Sequence, residues 1–201
     1  MVMTKVHPNA IVTPTQPPLS VAAAAVHGPL VLTVWKKSLL FNCDGFTVYD
    51  SSGDLIFRVD NYSAGSKGEI VLMDASGRSL LTIRRKRLSL LDNWLVYEGE
   101  TGVNPLFTVT KHMNFLNNAK SLAHVTIGSK GKKVVYEIEG SYTQRCCAIY
   151  DDKKKLVAEI KRKETVGGVK LGGDVFRLYI QPEIDPTVAM AFVVVLDQMF
   201  A

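Results

Sequence analysis

The sequence predicts a mainly β protein: a closed antiparallel barrel of about twelve strands enclosing a hydrophobic C-terminal helix. Three observations carry this expectation. Apolar and polar residues alternate at period two through almost every segment after Gly28, the pattern of half-buried strands. The last sixteen residues, Pro186 to Ala201 (PTVAMAFVVVLDQMFA), are apolar on every side, and such a helix needs an enclosure. A barrel of about twelve strands has a lumen too wide for strand side chains to fill, whereas a sandwich fills its own interior. The helix and the barrel therefore answer one another.

Residues 1–28 differ in kind from the rest. Pro8, Pro14, Pro17 and Pro18 precede a run of alanines, Ala22 to Ala25, with no hydrophobic periodicity. This stretch reads as a disordered or loosely docked leader. It lacks the basic start and apolar length of a signal peptide, and Val2 stands where N-myristoylation requires glycine. Pro14-Thr15-Gln16-Pro17 spells PxxP, a match common in any proline-rich tail. Residues 29–201 are expected to form one domain, since a chain that is 47% hydrophobic can build one good-sized core.

Twelve strands are predicted within it, near Leu30 to Trp35, Phe46 to Tyr49, Leu55 to Asp60, Glu69 to Met73, Ser79 to Arg84, Trp94 to Glu98, Leu106 to Lys111, Leu122 to Ile127, Val134 to Glu139, Arg145 to Tyr150, Leu156 to Lys161 and Val175 to Ile180. The alternation is plain in Leu55, Phe57 and Val59, and again in Val134, Tyr136 and Ile138. One hairpin unit recurs three times: VYDSSGDLIFRV from Val48, LMDASGRSLLTI from Leu72 and IYDDKKKLVAEI from Ile149. In each, an aspartate (Asp50, Asp74, Asp151) closes the first strand, where its carboxylate can accept backbone N–H bonds within the turn. A calcium loop would need further oxygen ligands that none of the three supplies. For the helix, near 185–200, Asp185 is a good N-cap and Pro186 suits the first helical position. Its apolar run, Val188 to Leu196, falls far short of the roughly 20 residues a bilayer span needs. A core helix is expected, with Ala189 and Ala191 beside Met190 and Phe192 as packing choices; Asp197 reads first as part of an exposed last turn, with a buried carboxylate that has a partner as the alternative.

Cys43, Cys146 and Cys147 have no CxxC spacing, so neither a disulfide framework nor a zinc site is expected, and the chain reads as intracellular. Asn61-Tyr62-Ser63, a formal glycosylation acceptor, is then only a loop tripeptide. The net charge is +5 with pI near 9.1, which permits an acidic partner without demanding one. Between Lys130 and Lys170 eleven Lys or Arg face six Asp or Glu, a surplus equal to the whole net charge. The runs are Lys153-Lys154-Lys155 and Lys161-Arg162-Lys163, at the two ends of one strand, with Arg84-Arg85-Lys86-Arg87 elsewhere. Alternation turns Glu159, Lys161 and Lys163 outward, so part of this charge is the solvated face of a barrel. The functional reading is a site for anionic lipid head groups, to which each cation near an acidic membrane contributes about 1 kcal/mol. Nucleic acid is the weaker candidate because no aromatics interleave with these runs.

Enzymatic readings find little support. His112 and His124 have no thiol motif around them. Gly167-Gly168 and Gly172-Gly173 flank Val169-Lys170-Leu171 but form neither GxxxxGK[ST] nor GxGxxG, because Asp174 follows the last glycine. If the helix fills the lumen, no deep dry cavity remains there for a substrate. No catalytic residue, cofactor or metal is expected, and the chain reads as a monomer.

The residues VWKKSL around Trp35, FTVYDSSGDLIFRVD, VLMDASGRSLLTIRRKRLSLLDNWLVYEG and the closing apolar helix together resemble the LURP-one-related proteins of the Tubby C-terminal-like superfamily, which includes phospholipid scramblases. Asp92, Trp94, Tyr97 and Gly99 lie in the most specific stretch. The resemblance spans nearly everything after the leader and implies a twelve-stranded barrel threaded by its C-terminal helix. It also implies a non-enzymatic regulatory module in a plant stress or defence response, related to membrane-tethered proteins that hold phosphoinositides through basic surface residues. No Tubby lipid-binding motif matches this chain residue by residue, so that activity comes by analogy alone. The expected partner is an anionic membrane lipid such as a phosphoinositide, or a protein, met through Arg84 to Arg87, Lys153 to Lys155 and Lys161 to Lys163. The expected location is cytoplasmic or peripheral at the membrane, with the nucleus open because Arg84 to Arg87 also fits a weak localisation signal. The alternative is a small-ligand or catalytic protein using a rim pocket near Gly167 to Asp174. A scramblase-like entry of the helix into lipid is opposed by its short apolar run.

Overall fold

In the computed structural model the described residues are 28–40, 44–61, 68–100, 102–112, 121–127, 133–163 and 172–201. The leader up to residue 27, Cys43, Tyr62, Ser63 and Gly167 to Leu171 lie outside them. The strands are β1 (Leu30–Trp35), β2 (Asp44–Tyr49), β3 (Leu55–Asn61), β4 (Glu69–Asp74), β5 (Ser79–Arg85), β6 (Asn93–Glu98), β7 (Phe107–Lys111), β8 (Ser121–Ile127), β9 (Lys133–Ser141), β10 (Cys146–Asp151), β11 (Leu156–Arg162) and β12 (Val175–Ile180), followed by α1 (Pro186–Phe200). Each strand pairs antiparallel with its sequence neighbours, and β1 also pairs with β12 from Leu30↔Ile180 to Trp35↔Val175, so the sheet closes on itself. Closure leaves no edge strand open to another chain.

Period-two alternation points two or three side chains per strand inward. Leu32 and Val34, Phe57 and Val59, Trp94 and Val96, and Ile149 with Cys147 are all buried. The helix occupies the space they leave. From Ala189 to Leu196 every residue is fully buried, and the Phe192 ring meets Phe107 edge-on at 5.6 Å and Tyr136 at 5.5 Å. Asp185 caps the helix, its Oδ1 accepting from the Thr187 N–H at 2.7 Å and the Val188 N–H at 3.3 Å, with Pro186 in the first turn.

The three repeated hairpins share one geometry. Asp50 Oδ1 accepts from the N–H of Ser52 and Asp54, Asp74 Oδ1 from Ser76 and Arg78, and Asp151 Oδ1 from Lys153 and Lys155, all at 2.8–3.0 Å. A register shift precedes each aspartate, at Val48/Tyr49, Leu72/Met73 and Ile149/Tyr150. The fourth turn residue is left-handed: Gly53 at φ 90°, Gly77 at φ 89° and, in the third copy, Lys154 at φ 62°.

Because neighbours alternate in direction, the connections fall at two ends of the barrel. The turns after β2, β4, β6, β8, β10 and β12 share the end where the helix enters. Those after β1, β3, β5, β7, β9 and β11 share the end where it leaves. Asp197 corrects one expectation. It stands at this exit end but is buried, 7% exposed, rather than in a solvated last turn. The last helical turn is still inside the barrel mouth, and Lys36 and Tyr142 reach in to meet it.

Candidate functional site

The three basic runs do not assemble into one patch. Lys153, Lys154 and Lys155 form the β10–β11 turn at the helix-entry end, whereas Lys161, Arg162 and Lys163 end β11 at the exit end, roughly 20 Å of strand away. Arg84 to Arg87 also lie at the exit end. Yet β5 and β11 stand six places apart in a ring of twelve strands, on opposite sides of the barrel.

Most of these cations are already engaged. Lys154 pairs with Glu137, Lys155 with Glu183 at 2.6 Å, Lys161 with Glu159 at 2.8 Å, Arg84 with Glu69 at 3.0 Å and Arg85 with Asp92 at 2.9 Å. The hydrogen bonds they donate to those carboxylates hold the Lys154, Lys155 and Lys161 ammonium groups above their ordinary range, and the same bonds lower Glu137 and Glu183. Each pair is at least partly exposed, so they add little stability but do satisfy the charge locally. Arg162 Nε donates to the Gln144 carbonyl at 2.8 Å. Lys86 and Arg87, both exposed, form no ion pair with a described residue.

The β5–β6 connection that carries Lys86 and Arg87 is a fastened loop. The Lys86 N–H donates to the Asn93 carbonyl at 2.8 Å, Asn93 Nδ2 donates to Ser89 Oγ at 2.7 Å, and Arg85 bridges to Asp92. Its apex holds Leu88, in a left-handed conformation at φ 59°, and Leu90 wholly out in solvent, 107% and 102% exposed. Sequence reasoning registered the four cations and missed the leucines. The available signal was the cluster of three leucines, Leu88, Leu90 and Leu91, immediately after them.

A second feature of the exit end is the cluster around Asp197. Its Oδ1 lies 3.0 Å from Lys36 Nζ and accepts from the Tyr142 hydroxyl at 3.1 Å. Lys111 Nζ donates to the Met199 carbonyl at 2.6 Å, so two lysines stand against a helix C-terminus, whose dipole favours cations. Burial, reinforced by the facing Asp197 carboxylate, pushes the Tyr142 phenol above its ordinary range. Arg145, at φ 53°, stacks on the Tyr142 and Phe176 rings at 4.3 and 4.4 Å and donates Nε to the Gly173 carbonyl. Beside this cluster a cavity of about 280 Å³ opens, lined by Lys36, Lys37, Asp44, Asp174, Asp197 and Gln198 over Phe46 and Val59. The only signal for it in the sequence was a lone acid in an apolar helix.

The described thiols are not activated nucleophiles. Cys147 is buried and its thiol is pushed up to about 12, so it stays protonated near neutrality. His124 on β8 lies opposite Thr110 and Glu137, two strands from the thiols of β10, and His112 follows β7. Among the described residues, no three His, Cys, Asp or Glu side chains are grouped to hold a metal ion.

Comparison with known proteins gives consistent matches. A family model described as LURP-one-related matches residues 30–197. The chain is 58% identical to the protein LURP-one-related 8 of Arabidopsis thaliana, covering 98% of both chains. It is 46% identical to LURP-one-related 17 of the same plant, over 98% of this chain and 95% of that one. An X-ray structure of an Arabidopsis thaliana protein superposes with a TM-score of 0.64 at 25% identity, covering 86% of this chain and 92% of its own.

Proposed function

This chain belongs to the LURP-one-related family, and from that premise we propose that it is a non-enzymatic binding module that attaches to anionic membrane surfaces by its helix-exit end. The observation that carries this reading is the division of labour in the barrel. The lumen is filled by α1, so ligands are left to the outside, and the cations without carboxylate partners at the exit end include Lys86 and Arg87 on a projecting loop. Attachment to a surface fits better than spanning. No described helix is long and apolar enough to cross a membrane. The outward face of the strands carries Arg58, Glu137, Glu159 and Arg177 where a membrane barrel has an apolar band. The location we propose is the cytoplasmic face of a membrane, and the setting, from the family resemblance, is a plant stress or defence response.

Co-sedimentation with phosphatidylcholine vesicles, with and without phosphatidylserine, tests the reading. Binding is expected only with the anionic lipid, weaker in K86Q/R87Q and unchanged in K153Q, which lies at the opposite end. Equal binding to neutral vesicles, or none to anionic ones, refutes it. A second reading rests on the rim cavity beside Asp197: a small polar ligand that meets Lys37 and the Asp44 and Asp174 carboxylates. It predicts a ligand-induced rise in melting temperature that D174N removes.

A further inference from the structure

We propose that the β5–β6 loop is a membrane-inserting wedge: Leu88 and Leu90 enter the acyl layer of an anionic bilayer while Lys86 and Arg87 hold its head groups. This rests on the surface-attachment reading above and adds an orientation and an apolar anchor to it. Exposed single leucines are ordinary on protein surfaces. Here two fully exposed leucines sit two residues apart on a loop that three polar interactions hold in shape, and one of them occupies a backbone conformation that costs a β-carbon-bearing residue energy. Such a loop spends stability on keeping its leucines in water.

Charge complementarity selects the occupant. Arg84 and Arg85 are tied to Glu69 and Asp92 at the loop base, which leaves Lys86 and Arg87, directly before Leu88, to face outward. Apolar tips beneath a collar of cations match acyl chains beneath anionic head groups. Among the described residues the other strongly exposed aliphatic side chain, Val103 at 87%, lies at the opposite end in the β6–β7 connection, close in sequence to Glu98 and Glu100 and with no Lys or Arg between Arg87 and Lys111 to form a cationic collar around it. Trp35, 41% exposed, and Leu39, 49% exposed, stand at the same end as the loop and add amphipathic surface that suits the interface.

Two measurements on the full chain decide it, with phosphatidylcholine vesicles containing phosphatidylserine. L88S/L90S should lose on the order of 100-fold in vesicle partition with its melting temperature unlowered, since both side chains are fully exposed. Leu90→Trp should gain fluorescence that lipids brominated along the acyl chain quench, whereas Val103→Trp should gain none that they quench. If K86Q/R87Q weakens binding but L88S/L90S does not, or if the tryptophan at 90 escapes quenching on bound vesicles, insertion is overturned and electrostatic attachment stands. If the wild-type chain does not bind these vesicles at all, both fall.

Discussion

Truncating Phe192 to alanine probes the enclosed helix directly. Its ring is fully buried and touches rings from two different strands, Phe107 on β7 and Tyr136 on β9, at 5.6 and 5.5 Å. A phenylalanine removed from a packed core costs about 3–5 kcal/mol in lost transfer energy and residual cavity. Part of that total is two aromatic contacts of about 0.5–1.5 kcal/mol each. Against a usual domain stability of about 5–15 kcal/mol, the alanine variant should still fold. Its melting temperature should drop by roughly 6 to 20 °C, at about 2–4 °C per kcal/mol for a domain of this size. Urea unfolding followed by circular dichroism and by the fluorescence of buried Trp94 gives the value, with exposed Gln198→Ala as the helix control, expected within about 0.5 kcal/mol of wild type. Phe192→Asp should give no soluble folded protein, because an unpaired charge there has no partner. A soluble aspartate variant of native stability, or an alanine cost below about 1 kcal/mol, would mean that the helix does not fill the barrel.

Three further outcomes follow from the geometry. Tyr142 has a raised phenol in the folded protein, so its contribution is complete below the ordinary tyrosine value near 10 and lost as pH rises beyond it, at up to about 1.4 kcal/mol per pH unit. Denaturant unfolding from pH 9 to 11.5 should show that decline in wild type and a shallower one in Tyr142→Phe, and equal slopes refute it. Lys154→Gly should stabilise by about 0.5–1 kcal/mol, because the lysine holds the left-handed position that Gly53 and Gly77 occupy in the sister turns, and the exposed Glu137 pair it loses is worth little; a lower thermal midpoint contradicts this. Gly45→Ala should cost about 2–3 kcal/mol, since a β-carbon there would fall 1.8 Å from the Val59 carbonyl oxygen of the paired strand. A neutral effect in thermal melts would show that β2 and β3 are not in this register.

How much of the candidate site was legible differs sharply between its parts. Arg84 to Arg87 were visible as a run, but a run says nothing of which members a carboxylate already holds. Glu69 lies on the neighbouring strand and Asp92 across the loop, and only pairing brings them to Arg84 and Arg85. That Lys153 to Lys155 and Lys161 to Lys163 end one strand was legible, but that β11 stands across the barrel from β5 and its arginines was not. Asp197 read as exposed because it is an acid near a helix end. Its burial depends on Lys36, 161 residues earlier in the chain, and on Tyr142, 55 earlier.

By itself the sequence determined what is local and periodic. Alternation specified the strands, because side chains on a pleated backbone take opposite faces in turn. The repeated aspartates specified three turns, because a carboxylate at that place accepts from N–H groups a few residues ahead, here two and four. Asp185 and Pro186 specified where the helix begins, and its uniform apolarity specified that it must be enclosed. Only the tertiary structure decided which residues share an end of the barrel, which charges cancel, and which leucines are left in water. Those depend on the pairing that closes β1 onto β12, which sets distances between residues far apart in the chain.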